Sequence, residues 1–209
     1  MKTTTPRRSL LRTALTALCV TLVGAAAAHE MHHHGQHDAP PPGAVKVRGL
    51  DTTLVDQDGR SVNVQRDVIG NRIVVVSFVY TSCTTVCPLV AAVFSDLQTR
   101  LGERVGKDVT LVTVTVDPLR DTPSQLKAYA ARFQAGAGWR WLTGAPVAVN
   151  DLLKGMGAYA SDFTQHPQMV LVGDGATGRW TRFSGLPDGK RLAEHVRGLD
   201  ATRTARAGG

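Results

Sequence analysis

The run Ile73-Val74-Val75-Val76-Ser77-Phe78-Val79 is almost unbroken in apolar, β-branched residues, and it constrains the fold more than any other stretch. It shows no polar alternation. A strand of this kind is covered on both faces, as in a sheet sandwiched between helices. Thr81-Ser82-Cys83-Thr84-Thr85-Val86-Cys87-Pro88 follows at its carboxyl end. A helical pattern then runs over about 89–101, with Val90, Val93, Phe94 and Leu97 on one stripe. A second buried strand is predicted over 109–116, and Asp117-Pro118-Leu119-Arg120-Asp121 forms the loop after it.

Thr122-Pro123-Ser124-Gln125 opens the next helix. Thr122 is the N-cap, Pro123 fills the first helical position and Gln125 completes a capping box, with Leu126, Tyr129, Ala130 and Phe133 facing inward. A short strand over 139–142, a helix over 148–156, paired strands over 169–172 and 180–183 around a Gly173-Asp174-Gly175 turn, and a last helix over 191–199 complete the pattern. Upstream, 53–55 and 61–64 read as a hairpin around Asp58-Gly59. The order is βαβ–ββα: an α/β domain with a mixed sheet flanked by helices and an extra N-terminal hairpin, over 44–199, with a frayed tail over 200–209. Trp139, Trp141, Trp180 and His195 are assigned to packing.

Residues 1–28 read as an export signal: Lys2, Arg7, Arg8 and Arg12, then an apolar run over 13–23, then the small residues Ala25 to Ala28. Arg7-Arg8 also fits a twin-arginine signal. The rival is an uncleaved anchor, but the uncharged stretch over 13–28 falls short of the ~20 residues that span a bilayer. Cys19 would leave with the signal, so the mature form has two cysteines and no membrane span. The chain is expected in the periplasm if its source is a double-membraned bacterium. Without those four cations, the 24 basic residues fall to 20 against 17 acidic, a net of +3. That balance, with no basic cluster interleaved with aromatics, argues against nucleic acid as a partner. Residues 29–43 carry His29, Met31, His32, His33, His34 and His37 before Pro40-Pro41-Pro42-Gly43. This composition predicts a disordered segment suited to accessory capture of a soft or borderline metal such as copper; the alternative is an idle polar tail.

Cys83 and Cys87 lie four apart at a strand-to-helix junction. If the helix has begun there, both sulfurs share a face, and a helix N-terminus favours thiolate. Two converging thiolates suit Cu(I); the alternative is a structural disulfide or two inert thiols. His166 precedes a late strand whose leading loop should end near the cysteines, and its imidazole would complete a trigonal site for Cu(I), or for Cu(II) with an added ligand. Pro167 stands where thioredoxin-like folds often carry a cis proline, which makes the His166–Pro167 bond a candidate for one. Asp117 and Asp121 are read either as groups that orient the site or face a partner, or as turn and helix-start chemistry.

Cys83-Thr84-Thr85-Val86-Cys87-Pro88, Val116-Asp117-Pro118-Leu119-Arg120-Asp121-Thr122-Pro123 and the later His166 together resemble the Sco/SenC copper proteins, over about 50–199. The resemblance implies a thioredoxin-like fold and one copper ion held by Cys83, Cys87 and His166. It also implies a part in assembling the binuclear copper site of cytochrome c oxidase subunit II, as copper donor, as thiol-disulfide reductant of that acceptor's cysteines, or both. An upstream copper donor and a thioredoxin-like reductant are then further partners. If the protein is a reductase, Cys83 attacks and Cys87 resolves. A copper buffer or sensor is a third reading. Two departures stand out: many members keep a membrane anchor, and Gln165 fills the place directly before the histidine where the family commonly has Asp, with Asp162 four residues upstream.

Overall fold

The computed structural model describes residues 41–207. Its centre is β4 (Ile73–Val79), the strand whose sequence allowed no exposed face, and all seven of its residues are buried. It pairs in parallel with β5 (Val109–Thr115), also buried throughout. β5 pairs in parallel with β6 (Trp139–Thr143). On the other side, β7 (Met169–Asp174) runs antiparallel to β4 and pairs with β8 (Arg179–Ser184). The hairpin β2 (Thr53–Asp56) and β3 (Ser61–Asn63) extends the sheet past β6, and β1 (Gly43–Val45) closes the opposite edge on β8. The order is β1-β8-β7-β4-β5-β6-β2-β3.

Successive residues of β4 enter different cores. Ile73, Val75 and Val79 join Phe94 and Leu97 of α1 (Val86–Leu101), Leu126 and Tyr129 of α2 (Pro123–Arg132), and Leu192 and Val196 of α4 (Gly189–Ala207). Val74, Val76 and Phe78 join Leu152, Leu153 and Met156 of α3 (Pro146–Met156) and Val68 and Ile69 of a single π-helical turn, Val64–Ile69. Period-two side chains on a doubly covered sheet require this three-layer arrangement. Trp139, Trp141 and Trp180 are buried, as expected, and the Trp139 Nε1–H donates to Thr113 at 2.9 Å. The predicted capping box on α2 is present with both of its hydrogen bonds.

Several expectations are corrected. α4 continues through Ala207 where a frayed tail was expected after 199. Long-range ion pairs hold it: Asp200 accepts from Arg104 at 2.7 and 3.0 Å, and Arg203 pairs with the buried Asp174. β1 begins at Gly43, inside the segment assigned to linker; a three-residue edge strand has no periodicity of its own and is defined only by its partner β8. β7 extends through Asp174, whose carboxylate then caps the turn by accepting from the Ala176 and Thr177 amides. Every peptide bond among the described residues is trans, His166–Pro167 included. The export signal and the His/Met tract up to His37 lie outside the described residues. Among the described residues no helix is long and apolar enough to cross a membrane.

Candidate metal centre

At the carboxyl end of β4 the chain turns through Tyr80-Thr81-Ser82-Cys83, closed by a hydrogen bond from the Cys83 amide to the Tyr80 carbonyl at 3.2 Å. α1 begins at Val86, so Cys83 stands in the turn ahead of the helix and only Cys87 lies within it. The sulfurs meet for a different reason than a shared helical face. Thr85, the N-cap, makes no side-chain capping bond and the first turn holds no acid. The Cys87 amide donates to the Cys83 sulfur instead, at 3.4 Å. Cys83 thus occupies the anion position at a helix N-terminus.

This placement separates the two thiols. Burial pushes the Cys83 thiol up, but the Cys87 S–H, the Cys87 and Thr85 backbone amides and the Thr85 hydroxyl outweigh it and bring it down to about 6. Burial, and then donation to Cys83, push Cys87 up to about 12. Near neutral pH the pair therefore holds one proton, on Cys87. Both cysteines are free and buried, with Cys83 8% and Cys87 1% exposed.

Asp121 is the clamp on the cysteine turn. It is 1% exposed and accepts from the Thr81 amide (3.1 and 3.2 Å), the Thr81 hydroxyl (2.5 Å) and the Thr115 hydroxyl (2.5 Å). One carboxylate thus ties the end of β5 to the turn that carries Cys83. Asp117, also buried, pairs with Arg120 at 2.9 Å. Asp121 thus joins two segments by hydrogen bonds, while Asp117 serves its own loop.

His166 follows a single 3-10 turn, Phe163–Gln165, capped by Asp162 through the Thr164 amide and hydroxyl. Asp162 is spent on that turn and does not steer the imidazole. The ring is 5% exposed; Nδ1 lies 3.3 Å from the Pro167 carbonyl, and Nε2 is buried with no hydrogen-bond partner. Burial lowers its pKa, which leaves a neutral ring with a free donor atom. Leaving such an atom unsatisfied costs on the order of 1–3 kcal/mol. Tyr80, which sequence reasoning missed, connects the parts: its ring lies edge-on to His166 at 6.3 Å and to Phe163 at 5.0 Å. Burial and the neighbouring Cys83 sulfur push its phenol up to about 12. No spacing rule marks a lone tyrosine after a strand, so nothing in the sequence flagged it.

The trigonal set expected from the sequence is not drawn together. Among the described residues, no group of three or more His, Cys, Asp or Glu side chains is gathered closely enough to hold a metal ion. Cys83 and Cys87 are hydrogen-bonded to each other, and Tyr80 packs against both Cys83 and His166. The donor chemistry nevertheless fits a soft ion: one thiolate, one thiol with a proton to lose, and an orphaned neutral imidazole nitrogen. His195 belongs elsewhere, packed edge-on to Phe183 at 5.1 Å. The five large apolar side chains exposed among the described residues, Leu89, Leu119, Val147, Tyr159 and Leu186, all lie on loops or first helical turns at the cysteine end of the sheet.

A mixed sheet between helices, with a dithiol at the amino end of the first long helix, defines a thioredoxin-like protein. The chain belongs to the SCO1/SenC family, whose model matches residues 46–199. It is 35% identical over 93 residues to the SCO1 protein homolog of Bacillus subtilis, a stretch covering 44% of this chain and 47% of that protein. It thus matches about half the length of that relative. Among solved structures, ScoI of Bradyrhizobium japonicum with copper bound aligns at TM-score 0.61 and 23% identity, covering 73% of this chain and 98% of that one. BsSco, a member of the Sco family of cytochrome c oxidase assembly proteins with a disulfide switch, aligns at 0.62 and 23%, covering 75% and 95%. At these identities the structural likeness establishes the fold.

Proposed function

We propose that the chain is an exported copper chaperone that carries one copper ion on Cys83, Cys87 and His166 and passes it to a thiolate-bearing acceptor, the binuclear copper site of cytochrome c oxidase. The observation that carries this reading is the pairing of a thiolate and a removable thiol at the α1 N-terminus with the orphaned Nε2 of a buried neutral histidine. The copper-bound relative and the oxidase-assembly relative support the cargo and the destination. Copper here is cargo, and the protein's task is to bind and release it. Cys83 is preformed as an anion; Cys87 must surrender its proton on binding, which makes loading favour higher pH. Because both sulfurs are buried, transfer needs an acceptor in contact, and the exposed apolar side chains at this end suit such docking. Export, with residues 1–28 as the signal and 29–43 as accessory capture, completes the reading.

A second reading, thiol-disulfide oxidoreductase, is favoured by one observation: the low Cys83 pKa beside a protonated partner. The Cys83 thiolate would attack an acceptor disulfide, forming a mixed disulfide and releasing one acceptor thiolate. Cys87, giving up its proton, would then attack the Cys83 sulfur, closing the Cys83–Cys87 bond and releasing the second acceptor thiol. Two electrons pass to the acceptor. Anaerobic Cu(I) titration of the reduced protein separates the readings. The chaperone predicts one tight equivalent that survives deletion of 30–37 and is lost in Cys83→Ser, Cys87→Ser and His166→Ala, with thiolate-to-copper charge-transfer absorption in the Cu(II) form. No tight equivalent would leave the reductase. An equivalent that vanishes with the deletion alone would leave a copper buffer on the tract.

A further inference from the structure

A metal-binding histidine normally has its second nitrogen fixed by a carboxylate or carbonyl, which sets the ring's orientation. His166 is poorly held in this way. Its Nδ1 has only the adjacent Pro167 carbonyl at 3.3 Å, beyond the usual 2.7–3.2 Å for a strong N–H···O bond, and Nε2 has nothing. Gln165 stands directly before it, and the Asp162 carboxylate is committed to the Thr164 amide and hydroxyl. The ring's remaining identified contact is Tyr80, met at 86°, an edge-to-face arrangement. Phe163, at the start of the turn leading to His166, packs on Tyr80 at 80°, and Arg120 covers the Phe163 ring at 5.6 Å. The backbone of the same tyrosine sets the other half of the site: its carbonyl receives the Cys83 amide and fixes the turn that presents the sulfur. Thr81, next in the chain, is clamped by Asp121, so Tyr80 stands on a rigid base.

We infer that Tyr80 is a positioning residue: its aromatic ring, held between the Phe163–His166 loop and the Cys83 turn, orients the His166 imidazole in place of a carboxylate. The inference rests on the proposed copper reading. It assigns the orientation of the imidazole to the ring, while the hydroxyl is hydrogen-bonded to Cys83 on the other half of the site. Tyr80 is half-buried and packs against both cores, so Leu is chosen as the replacement to keep an apolar side chain there.

The test is a double-mutant cycle on Cu(I) affinity, measured by competition with a chromophoric chelator in the full chain. Thermal melts of the copper-free variants confirm folding. Removing a residue that orients a metal ligand weakens binding about 10–100-fold. Tyr80→Leu is expected to do so, and to alter the Cu(II) charge-transfer absorption, while Tyr80→Phe, which keeps the ring and loses only the hydroxyl's bond to Cys83, should weaken binding less than Tyr80→Leu. In the His166→Ala background, Tyr80→Leu should add little, because its effect runs through the imidazole. In the copper-free protein, the His166 ring proton resonances should shift in Tyr80→Leu and stay in place in Tyr80→Phe. Full additivity of Tyr80→Leu and His166→Ala, or equal losses in the Leu and Phe variants, would overturn the positioning role while leaving His166 a ligand. A His166→Ala variant with unchanged affinity would remove the ligand reading, and the role of Tyr80 with it.

Discussion

The two cysteines should differ sharply in reactivity, and alkylation across pH measures the difference. At pH 7 a thiol of pKa about 6 is about nine-tenths thiolate, whereas an ordinary cysteine near 8.5 is only about 3% ionised. Cys83 falls in the first class and Cys87, at about 12, carries almost no thiolate. Lower intrinsic nucleophilicity at low pKa removes roughly 250- to 1000-fold from the ~10⁵-fold thiolate advantage of Cys83 over Cys87, and roughly two orders of magnitude remain. In the reduced, metal-free protein, iodoacetamide should modify Cys83 first. The rate should rise about tenfold between pH 5 and 7 and flatten above, as site-resolved mass spectrometry would record. Cys87→Ala removes the largest group lowering the Cys83 pKa and should move the midpoint upward. A midpoint at or above 8.5 in the wild type, or comparable modification of Cys87, would refute the assignment of the anion to the helix N-terminus.

Asp121→Asn keeps the shape but weakens the acceptor of three hydrogen-bonding groups; an about 1–3 kcal/mol loss in urea unfolding is expected, with slower copper-free alkylation of Cys83 unchanged in midpoint. Burial pushes the Asp174 carboxyl up, but Arg203 and the turn that it caps hold it below the usual range. A depressed acid contributes stability above its unfolded value near 3.9, and that contribution is lost as pH falls through the folded value. The stability gap between wild type and Arg203→Ala should therefore be widest above pH 5 and close toward pH 2 in thermal melts; a constant gap would count against the ion pair. Phe94→Ala, at a fully buried position on α1, should cost about 3–5 kcal/mol in the same unfolding assay; a loss below 1 kcal/mol would mean that the core under the cysteine helix is loosely packed.

Much of this protein was decided by local chemistry. β4 and β5 were legible because a strand with no polar alternation has only one environment available to it, and α2 because Thr122, Pro123 and Gln125 satisfy the helix's first amides without outside help. The Cys83–Cys87 pair was legible because a strand-to-helix junction brings both residues to the carboxyl end of β4, although the sulfurs meet through the Cys87 amide and not on a shared helical face. What required tertiary structure depended on partners distant in sequence. The last turns of α4 exist because Arg104 and Asp174, 96 and 29 residues away respectively, reach Asp200 and Arg203. β1 exists because β8 offers an edge. The split between Cys83 and Cys87 follows from burial and amide direction, which no composition reveals. His166 shows the division most plainly. Its identity and its place before a strand could be read in the chain, but its neutral, unpartnered nitrogen and its contact with Tyr80, eighty-six positions earlier, arise only when the loops at the carboxyl end of the sheet are brought together and water is excluded between them.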